Sequence, residues 1–188
     1  MVNTVQAQKF AIEKFRYKGG AFYGSPKELS LGVGLIYRNV RYPLYEAPSG
    51  LYDTVEGTAY ILTHECDVDQ KNERAFNEYV LLCPIIPFSD FIEEYSESNS
   101  EDALFSIISD LVSDRIYRVF YLPHGPGDEL EAGGLVYLNQ ICSTHVSQFR
   151  NLNAKPVCAL SDYAQSIFDN KLQNHLLRPK DETLPRLT

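Results

Sequence analysis

Short apolar segments, each cut off by glycine, proline or a polar run, are the feature that most limits how this chain can fold. Leu31–Tyr37, Gly57–Thr63 and Glu78–Ile86 have the length and the residue types of β-strands. Further strand-like segments follow at 115–123 and within 134–149. Helical segments do not alternate with these strands, which argues against the repeated strand–helix–strand units of a doubly wound parallel sheet.

Two amphipathic helices complete the pattern. The first begins near Ser100, and its apolar residues recur with the 3.6-residue period of a helix. The second begins at Ser161, a favourable N-cap, and we expect it to end before Pro179. The polar run at 94–102 is typical of a loop, and the opening residues up to Tyr17 fit a helix or a strand.

The sequence therefore predicts a mainly β, α+β fold. We expect a small, strongly curved antiparallel sheet or barrel, with an inserted helical segment at about 88–115 and a C-terminal helix at about 161–178. With 188 residues, 44% of them apolar, residues 1–188 are expected to form a single domain. No run approaches the roughly 20 apolar residues of a membrane helix, and the opening residues lack a signal core. We expect a cytoplasmic protein that does not bind a membrane.

Charge is distributed unevenly along the chain, whose net charge is −8. Residues 1–50 carry seven bases and three acids, and residues 145–188 carry six bases and four acids. Residues 84–144 carry two bases and eleven acids, which would repel phosphate and suit a basic protein partner. Nucleic acid would find a basic surface only if the two ends meet in space. The simpler alternative is a solvated surface without a partner.

Four cysteines are present, and none belongs to a C-x-x-C pair. In an intracellular protein they would stay reduced. Cys83 and Cys158 lie in apolar runs and are expected to be small buried hydrophobic residues.

The segment from Tyr60 to Lys71 is the main candidate for a site, because an apolar strand runs directly into polar side chains there. We assign binding to four consecutive residues: His64, Glu65, Cys66 and Asp67. In the simplest structural interpretation Cys66 points inward and Asp67 caps the bend after the strand.

Two chemical alternatives concern the cysteine. If the strand continued, His64 and Cys66 would share a face and form half of a zinc site, completed from His124, Cys142 and His145. Alternatively, Cys66 would act as a nucleophile with a nearby base and an orienting acid. The sequence predicts no cofactor, and His64 and Cys66 are its metal-ligand candidates.

A third alternative is metal-dependent nuclease chemistry. Asp69-Gln70-Lys71 fits a D-x-K pattern, and Asp53 or Glu56 would supply the earlier carboxylate.

A fourth alternative is stacking of single-stranded nucleic acid on the aromatic residues around Arg38 and Arg41, which are Tyr37, Tyr42 and Tyr45. The competing interpretation is an edge strand whose aromatic face packs inward, with Pro43 placing it at an edge or a bend.

Several short motifs resemble a set of uncharacterised prokaryotic and phage proteins over roughly residues 57–180. The shared T/S-x-x-C-D motif corresponds to Thr63, Cys66 and Asp67 in THECD. The other matching features are the strand LLCPIIP, the strand end FYLP, Arg150, the pair Leu160–Ser161 and Arg178.

This arrangement is in turn similar to the PemK/MazF toxins, a family that cuts RNA, and the resemblance implies a Src-homology-3-like barrel. The resemblance implies a metal-independent endoribonuclease with Thr63 and Arg38 or Arg41 at its catalytic site. The THECD turn is acidic where RNA phosphate would lie, so our leading hypothesis is a non-catalytic interaction or regulatory module. It would bind a protein partner, in a toxin–antitoxin or phage-defence system. The ribonuclease and a zinc-stabilised domain are the alternatives.

Overall fold

The computed structural model describes residues 4–17, 21–24, 31–46, 49–69, 71–72, 78–150 and 153–177. The strands are β1 (Tyr23–Gly24), β2 (Leu35–Glu46), β3 (Leu51–Ile61), β4 (Tyr79–Pro87), β5 (Val119–Leu122), β6 (Gly134–Tyr137), β7 (Cys142–His145) and β8 (Lys155–Leu160). The helices are α1 (Thr4–Lys14), α2 (Glu65–Val68), α3 (Phe88–Ser98), α4 (Glu101–Val112), α5 (Ser147–Arg150) and α6 (Asp162–Leu177), with a 3₁₀ turn at Asp128–Leu130.

The strands form one antiparallel sheet in the order β1-β8-β2-β3-β4-β6-β5, and β7 pairs with β4 beside β6. Over the described ranges the sheet is open, with β1 and β5 at its ends. The structure is 39% helical and 33% strand, which confirms the predicted α+β, mainly sheet fold.

Pro84 explains why two short strands, β7 and β6, follow one another along the same side of β4. Leu81 directs its N–H and C=O toward the β3 side, where they bond Thr63 and Leu62, so Pro84 points toward the other side. On that side β7 pairs with Tyr79–Leu82 and β6 pairs with Ile85–Pro87. Because proline has no N–H, the gap between the two strands falls where no donor exists.

The sheet curves strongly enough to bring β7 back to β2, although β3 and β4 lie between them in the sheet. Thr144 of β7 donates its hydroxyl to the carbonyl oxygen of Arg41 at 2.8 Å. The side-chain amide of Gln148 accepts from the Arg41 N–H at 2.8 Å and donates to the Arg41 carbonyl at 2.9 Å. This curvature agrees with the prediction of a strongly curved sheet. In the part of the chain that the structure describes, the sheet does not close into a barrel, because β2 and β7 are joined by side-chain hydrogen bonds and not by a ladder of backbone hydrogen bonds.

A bulge at Arg38 and Asn39 decides which side chains of β2 point inward. The pairing with β3 shifts between Tyr37 and Val40, and Asn39 has a φ of 57°. Asparagine tolerates this left-handed conformation better than most residues do. Because of the extra residue, Tyr37 before the bulge and Val40 and Tyr42 after it face the same interior.

The two faces of the sheet are covered in different ways. On one face α6 packs through Phe168, whose ring centre lies 4.2 Å from that of Tyr60. On the other face α1, α3 and α4 cover the β5–β6 end, with Phe88 fully buried. At the opposite end the curved strands β2, β3, β4 and β7 pack against one another around Tyr37 and Ile61.

Two segments differ from the sequence prediction. Residues up to Ser98 belong to α3, although the polar composition of 94–102 predicts a loop. Phe88 and Ile92 lie one helical turn apart and bury one face of α3, which stabilises the helix. Residues 115–118 form a turn rather than the start of a strand, because the Arg115 N–H bonds the Asp110 carbonyl at 2.9 Å.

A buried polar network joins three segments that are far apart in the sequence. Asp114, with a φ of 62°, forms an ion pair with the buried Lys171 of α6 and accepts a 2.9 Å hydrogen bond from the Tyr17 hydroxyl. Burial lowers the pKa of Lys171, and Asp114 opposes that shift. Burial and the bond to Asp114 raise the pKa of Tyr17 to about 12. The network fixes the ends of α1 and α4 against α6.

Candidate functional site

The THECD segment follows β3 and continues its pairing with β4. The Leu62 N–H donates to the Leu81 carbonyl at 2.9 Å, and the Thr63 hydroxyl accepts from the Leu81 N–H at 2.7 Å. Because β3 ends at Ile61, His64 and Cys66 do not share a strand face as the zinc alternative requires. Thr63 thus stabilises the end of the strand pair.

The helical turn α2 is anchored by Val68 and presents the four candidate residues to solvent. Val68 is buried among the side chains of the curved strands, and its carbonyl accepts a 3.3 Å hydrogen bond from Arg150. The candidate residues are all exposed: His64, Glu65, Cys66 and Asp67. The Cys66 thiol therefore points outward, against the inward orientation expected for it, and donates to the Asp67 carboxylate at 3.8 Å.

A carboxylate cap closes the bend two residues after Asp67. The Asp69 carboxylate accepts the Lys71 N–H at 2.9 Å, which is the local hydrogen bond of an Asx turn. A further bond runs from the Asn72 side-chain amide to the Cys66 carbonyl at 2.9 Å. Beside this bend lies a cleft of about 600 Å³, lined by Leu31, Glu65, Cys66, Val68, Asp69, Lys71 and Asn72.

The metal-ligand candidates lie on separate elements. His124 bonds the Glu131 carbonyl, His145 accepts from the Ser147 N–H at 3.2 Å, and Cys142 is half-buried with its pKa raised to about 11 by burial. Within the described ranges, no three histidine, cysteine or carboxylate side chains are grouped so that they could hold a metal ion. The zinc and nuclease alternatives therefore gain no support from the geometry. Gln70, Arg178 and Pro179 lie outside the described residues.

The two candidate arginines lie on β2, at the bulge and beyond it. Arg38 is exposed. The Arg41 side chain is also exposed and pairs with Glu56 at 3.0 Å, while its backbone is held by β7 and α5. Arg41 faces the far half of β3, whereas Thr63 follows the other end of that strand. Arg41 and Thr63 thus each have a structural partner and lie toward opposite ends of β3.

The aromatic residues of β2 divide between the two faces of the strand. Tyr37 and Tyr42 are buried, and burial raises the pKa of both phenols. Tyr45 lies on the opposite face and is exposed. The aromatic face of the strand therefore packs inward, as the simpler interpretation predicts, and Tyr45 is the exception.

Beyond the bulge, β2 and β3 leave the body of the sheet as a two-stranded ribbon, comprising residues 41–46 and 51–57. The pairing of β2 with β8 ends at Arg38, and the pairing of β3 with β4 begins at Thr58. The inner face packs tightly where the ribbon leaves the sheet: a Cβ placed on Gly57 would lie 2.6 Å from the Tyr42 hydroxyl oxygen. The ribbon is thus held by its inner face.

The outer face of the ribbon is exposed throughout. Opposed pairs across the two strands share this face, and their side chains are Arg41 and Glu56, Pro43 and Thr54, and Tyr45 and Tyr52. The rings of Tyr45 and Tyr52 lie 5.3 Å apart. Relative exposures on this face at the tip reach 54% for Tyr45 and 73% for Tyr52. Leu51, also exposed, lies on the opposite face of the ribbon.

The sequence by itself does not identify Tyr52 as a candidate site residue. The strand prediction began at Gly57, so the part of β3 that pairs with Tyr45 was absent from it. A signal is nonetheless present, because Tyr52, Thr54 and Val55, which favour strands, follow the Pro-Ser-Gly turn.

Among the described helices, none is long and apolar enough to cross a membrane. The resemblance to T/S-x-x-C-D proteins and to the toxin barrel stays a prediction. No protein-family model and no curated protein matches the sequence.

Proposed function

We propose that this protein is a non-catalytic interaction module that binds a protein partner through the outer face of the ribbon. The observation that carries the proposal is the exposure of Tyr45 and Tyr52, which are opposed across the two strands on the outer face of the ribbon tip. Contiguous exposed apolar side chains mark interaction surfaces, whereas scattered ones are ordinary. Tyrosine is also enriched among the residues that dominate binding energy at protein interfaces.

The chemistry around the tip supports a protein as the occupant. The apolar centre is bordered by Thr54 and by the Arg41–Glu56 ion pair, an arrangement typical of an apolar interface core with a polar rim. The partner surface should therefore be apolar at its centre and polar at its border.

The edges of the ribbon offer a second means of contact. Residues 51–57 of β3 lie outside the pairing with β4, so this edge can accept an added strand from a partner. The edge of β2 is interrupted by Pro43, which lacks an N–H. We expect any added strand to lie along β3.

Contacts at the predicted catalytic residues favour binding over RNA cleavage. Arg41 is neutralised by Glu56, and the Thr63 hydroxyl accepts a backbone hydrogen bond. A role in a toxin–antitoxin or phage-defence system stays a prediction from the sequence resemblance.

The test compares the wild-type chain with the double variant Tyr45→Ser/Tyr52→Ser. The chain is affinity-purified from the cells that naturally express it, and the protein enriched with it is then produced separately. Titration calorimetry on the two purified proteins should show at least about tenfold weaker binding by the double variant, because two tyrosines at the centre of an interface should together contribute at least about 1.4 kcal/mol.

Tyr163→Ser is the matched control, since Tyr163 is also exposed but lies on α6. This variant should bind as the wild type does, and urea unfolding should show that all variants are folded. Equal affinity of wild type and double variant would contradict the proposal, as would cleavage of RNA by the purified chain alone.

A further inference from the structure

The two basic ends of the chain meet at the turn between α4 and β5. The Arg16 N–H donates to the Val112 carbonyl at 3.1 Å, which places the end of α1 beside this turn. Lys171 of α6 reaches the same turn through its ion pair with Asp114. His175, one helical turn after Lys171, lines a cleft next to it. The two ends of the chain therefore meet here, and the cations that line the surface come from the end of α1 and from the turn itself.

Two clefts flank this turn and share Arg115 and Tyr117. One has a volume of about 570 Å³ and is lined by Lys14, Arg16, Ser113, Asp114, Arg115 and Tyr117. The other has a volume of about 540 Å³ and is lined by Arg115, Ile116, Tyr117, Arg118, Asn139 and His175. Both volumes fall within the range of small-ligand sites.

The charge of the lining residues is positive, although the chain carries −8 overall. Four permanent cations line the clefts, against a single lining carboxylate, Asp114, which is occupied by Lys171 and Tyr17. Of the cations, Arg115 pairs with Asp110 at 3.1 Å. Within the described ranges, Lys14, Arg16 and Arg118 form no ion pair, and the first two lie over aromatic rings.

Tyr117 stands between the two clefts with 75% of its surface exposed, more than any other large apolar side chain in the described ranges. Its turn is held firmly: the Arg115 N–H bonds Asp110 at 2.9 Å, and the Leu138 N–H bonds the Arg118 carbonyl at 2.9 Å. An exposed, positioned ring between arginines provides a stacking surface next to phosphate-binding groups.

We infer that this surface binds single-stranded nucleic acid, with phosphates in the two clefts and a base stacked on Tyr117. The acidic beginning of α4, with Glu101 and Asp102, lies about 16 Å along the helix from the turn, so binding is confined to this end of the molecule. This site is separate from the ribbon, and its existence does not depend on the proposed protein partner.

The test is fluorescence anisotropy with a short labelled oligouridylate at a series of salt concentrations. Tyr117→Ala should weaken binding about 5- to 150-fold, the effect of losing one stacked base. Tyr117→Phe keeps the ring and should restore the wild-type affinity. Arg118→Gln should reduce the slope of log K against log salt by about 0.7, the value for one phosphate contact in a single strand.

The matched control is Tyr52→Ala, an exposed tyrosine of the ribbon that should leave oligouridylate binding unchanged. The inference is overturned if wild type does not bind at low salt, or if Tyr117→Ala and Tyr52→Ala have equal effects. It is also overturned if inorganic polyphosphate or double-stranded RNA binds as tightly as the single strand, because charge alone would then account for the affinity. Retention of protein-partner binding by Tyr117→Ala separates this site from the ribbon.

Discussion

Asp114 is the residue at which the polar contacts of three distant segments converge. Its carboxylate neutralises the buried Lys171, so Asp114→Asn would leave an ammonium group without its counter-ion. We expect a loss of about 3 kcal/mol in the free energy of unfolding, measured by urea denaturation. Asp110→Asn is the control, because its pair with Arg115 is largely exposed and should contribute less than about 1 kcal/mol.

The double variant Asp114→Asn/Lys171→Met should be more stable than Asp114→Asn alone, because it leaves no isolated buried charge. If Asp114→Asn cost no more than Asp110→Asn, the ion pair would not stabilise the contact between α4 and α6.

Gly57 is required by the ring that packs over it. A Cβ at this position would lie 2.6 Å from the Tyr42 hydroxyl oxygen but 3.4 Å from the ring carbon that bears it. Gly57→Ala should therefore lower the free energy of unfolding by about 1–3 kcal/mol through overpacking. In a Tyr42→Phe background the same substitution should lower the free energy of unfolding much less. If urea denaturation shows an equal loss in both backgrounds, the Tyr42 hydroxyl is not the group that clashes.

At the scale of elements, the N-cap serines of α4 and α6 differ in the number of hydrogen bonds that they form. Ser100 accepts the Ala103 N–H at 3.3 Å, whereas Ser161 accepts the Ala164 N–H at 3.2 Å and also donates to the Ala21 carbonyl at 2.6 Å. Ser100→Ala should cost about 1 kcal/mol, and Ser161→Ala about 2 kcal/mol, because a second hydrogen bond is lost. Chemical denaturation of both variants checks this order, and the reverse order would contradict the role of Ser161 in holding the N-terminal segment.

Two prolines within strands, Pro84 and Pro43, lie where the backbone pairing has no need of an N–H donor. Pro84 lies between the pairing ranges of β7 and β6, and Pro43 lies on β2 beyond its pairing with β8. Both prolines thus occupy positions where the ladder needs no N–H from them. The sequence places Pro43 at an edge or a bend, but it does not reveal that β4 has two neighbours on one side.

For the whole molecule, buried phenols and thiols should make the fold sensitive to alkali. Burial raises the pKa of Cys142 to about 11 and that of Cys83 to about 12, and it raises the pKa of Tyr60 and Tyr121 well above the ordinary value. These groups keep their protons in the folded state, whereas the unfolded chain releases them at its ordinary, lower pKa values. Their contribution to stability is therefore complete below about pH 9 and is lost as the pH rises toward 12.

Lys171 has the opposite effect on stability, because its lowered pKa favours the folded state as the pH rises. The buried phenols and thiols outnumber it, so we expect a net loss of stability in alkali. Urea midpoints measured under reducing conditions between about pH 8 and about pH 11 should fall steadily. A midpoint that stays constant or rises over this range would contradict the burial of these side chains.

The sequence by itself determined the elements whose signals are local. The period of α4, the caps at Ser100 and Ser161, the apolar run of β4 and the burial of Cys83 and Cys158 could all be read from neighbouring residues. An antiparallel α+β fold followed from their order. The five-residue motif THECD predicts a bend after a strand, because carboxylates and hydroxyls bond nearby backbone groups.

Only the tertiary structure decided which distant residues meet. The hydrogen bonds of Arg41 to Thr144 and Gln148, the ion pair of Asp114 with Lys171, and the clefts on either side of Tyr117 join residues separated by long stretches of chain. Such contacts depend on sheet curvature and helix packing, and no local pattern encodes them. The exposed face of the ribbon also depends on tertiary structure. Strand β2 continues beyond the end of its pairing with β8, and the bulge changes which of its side chains point inward.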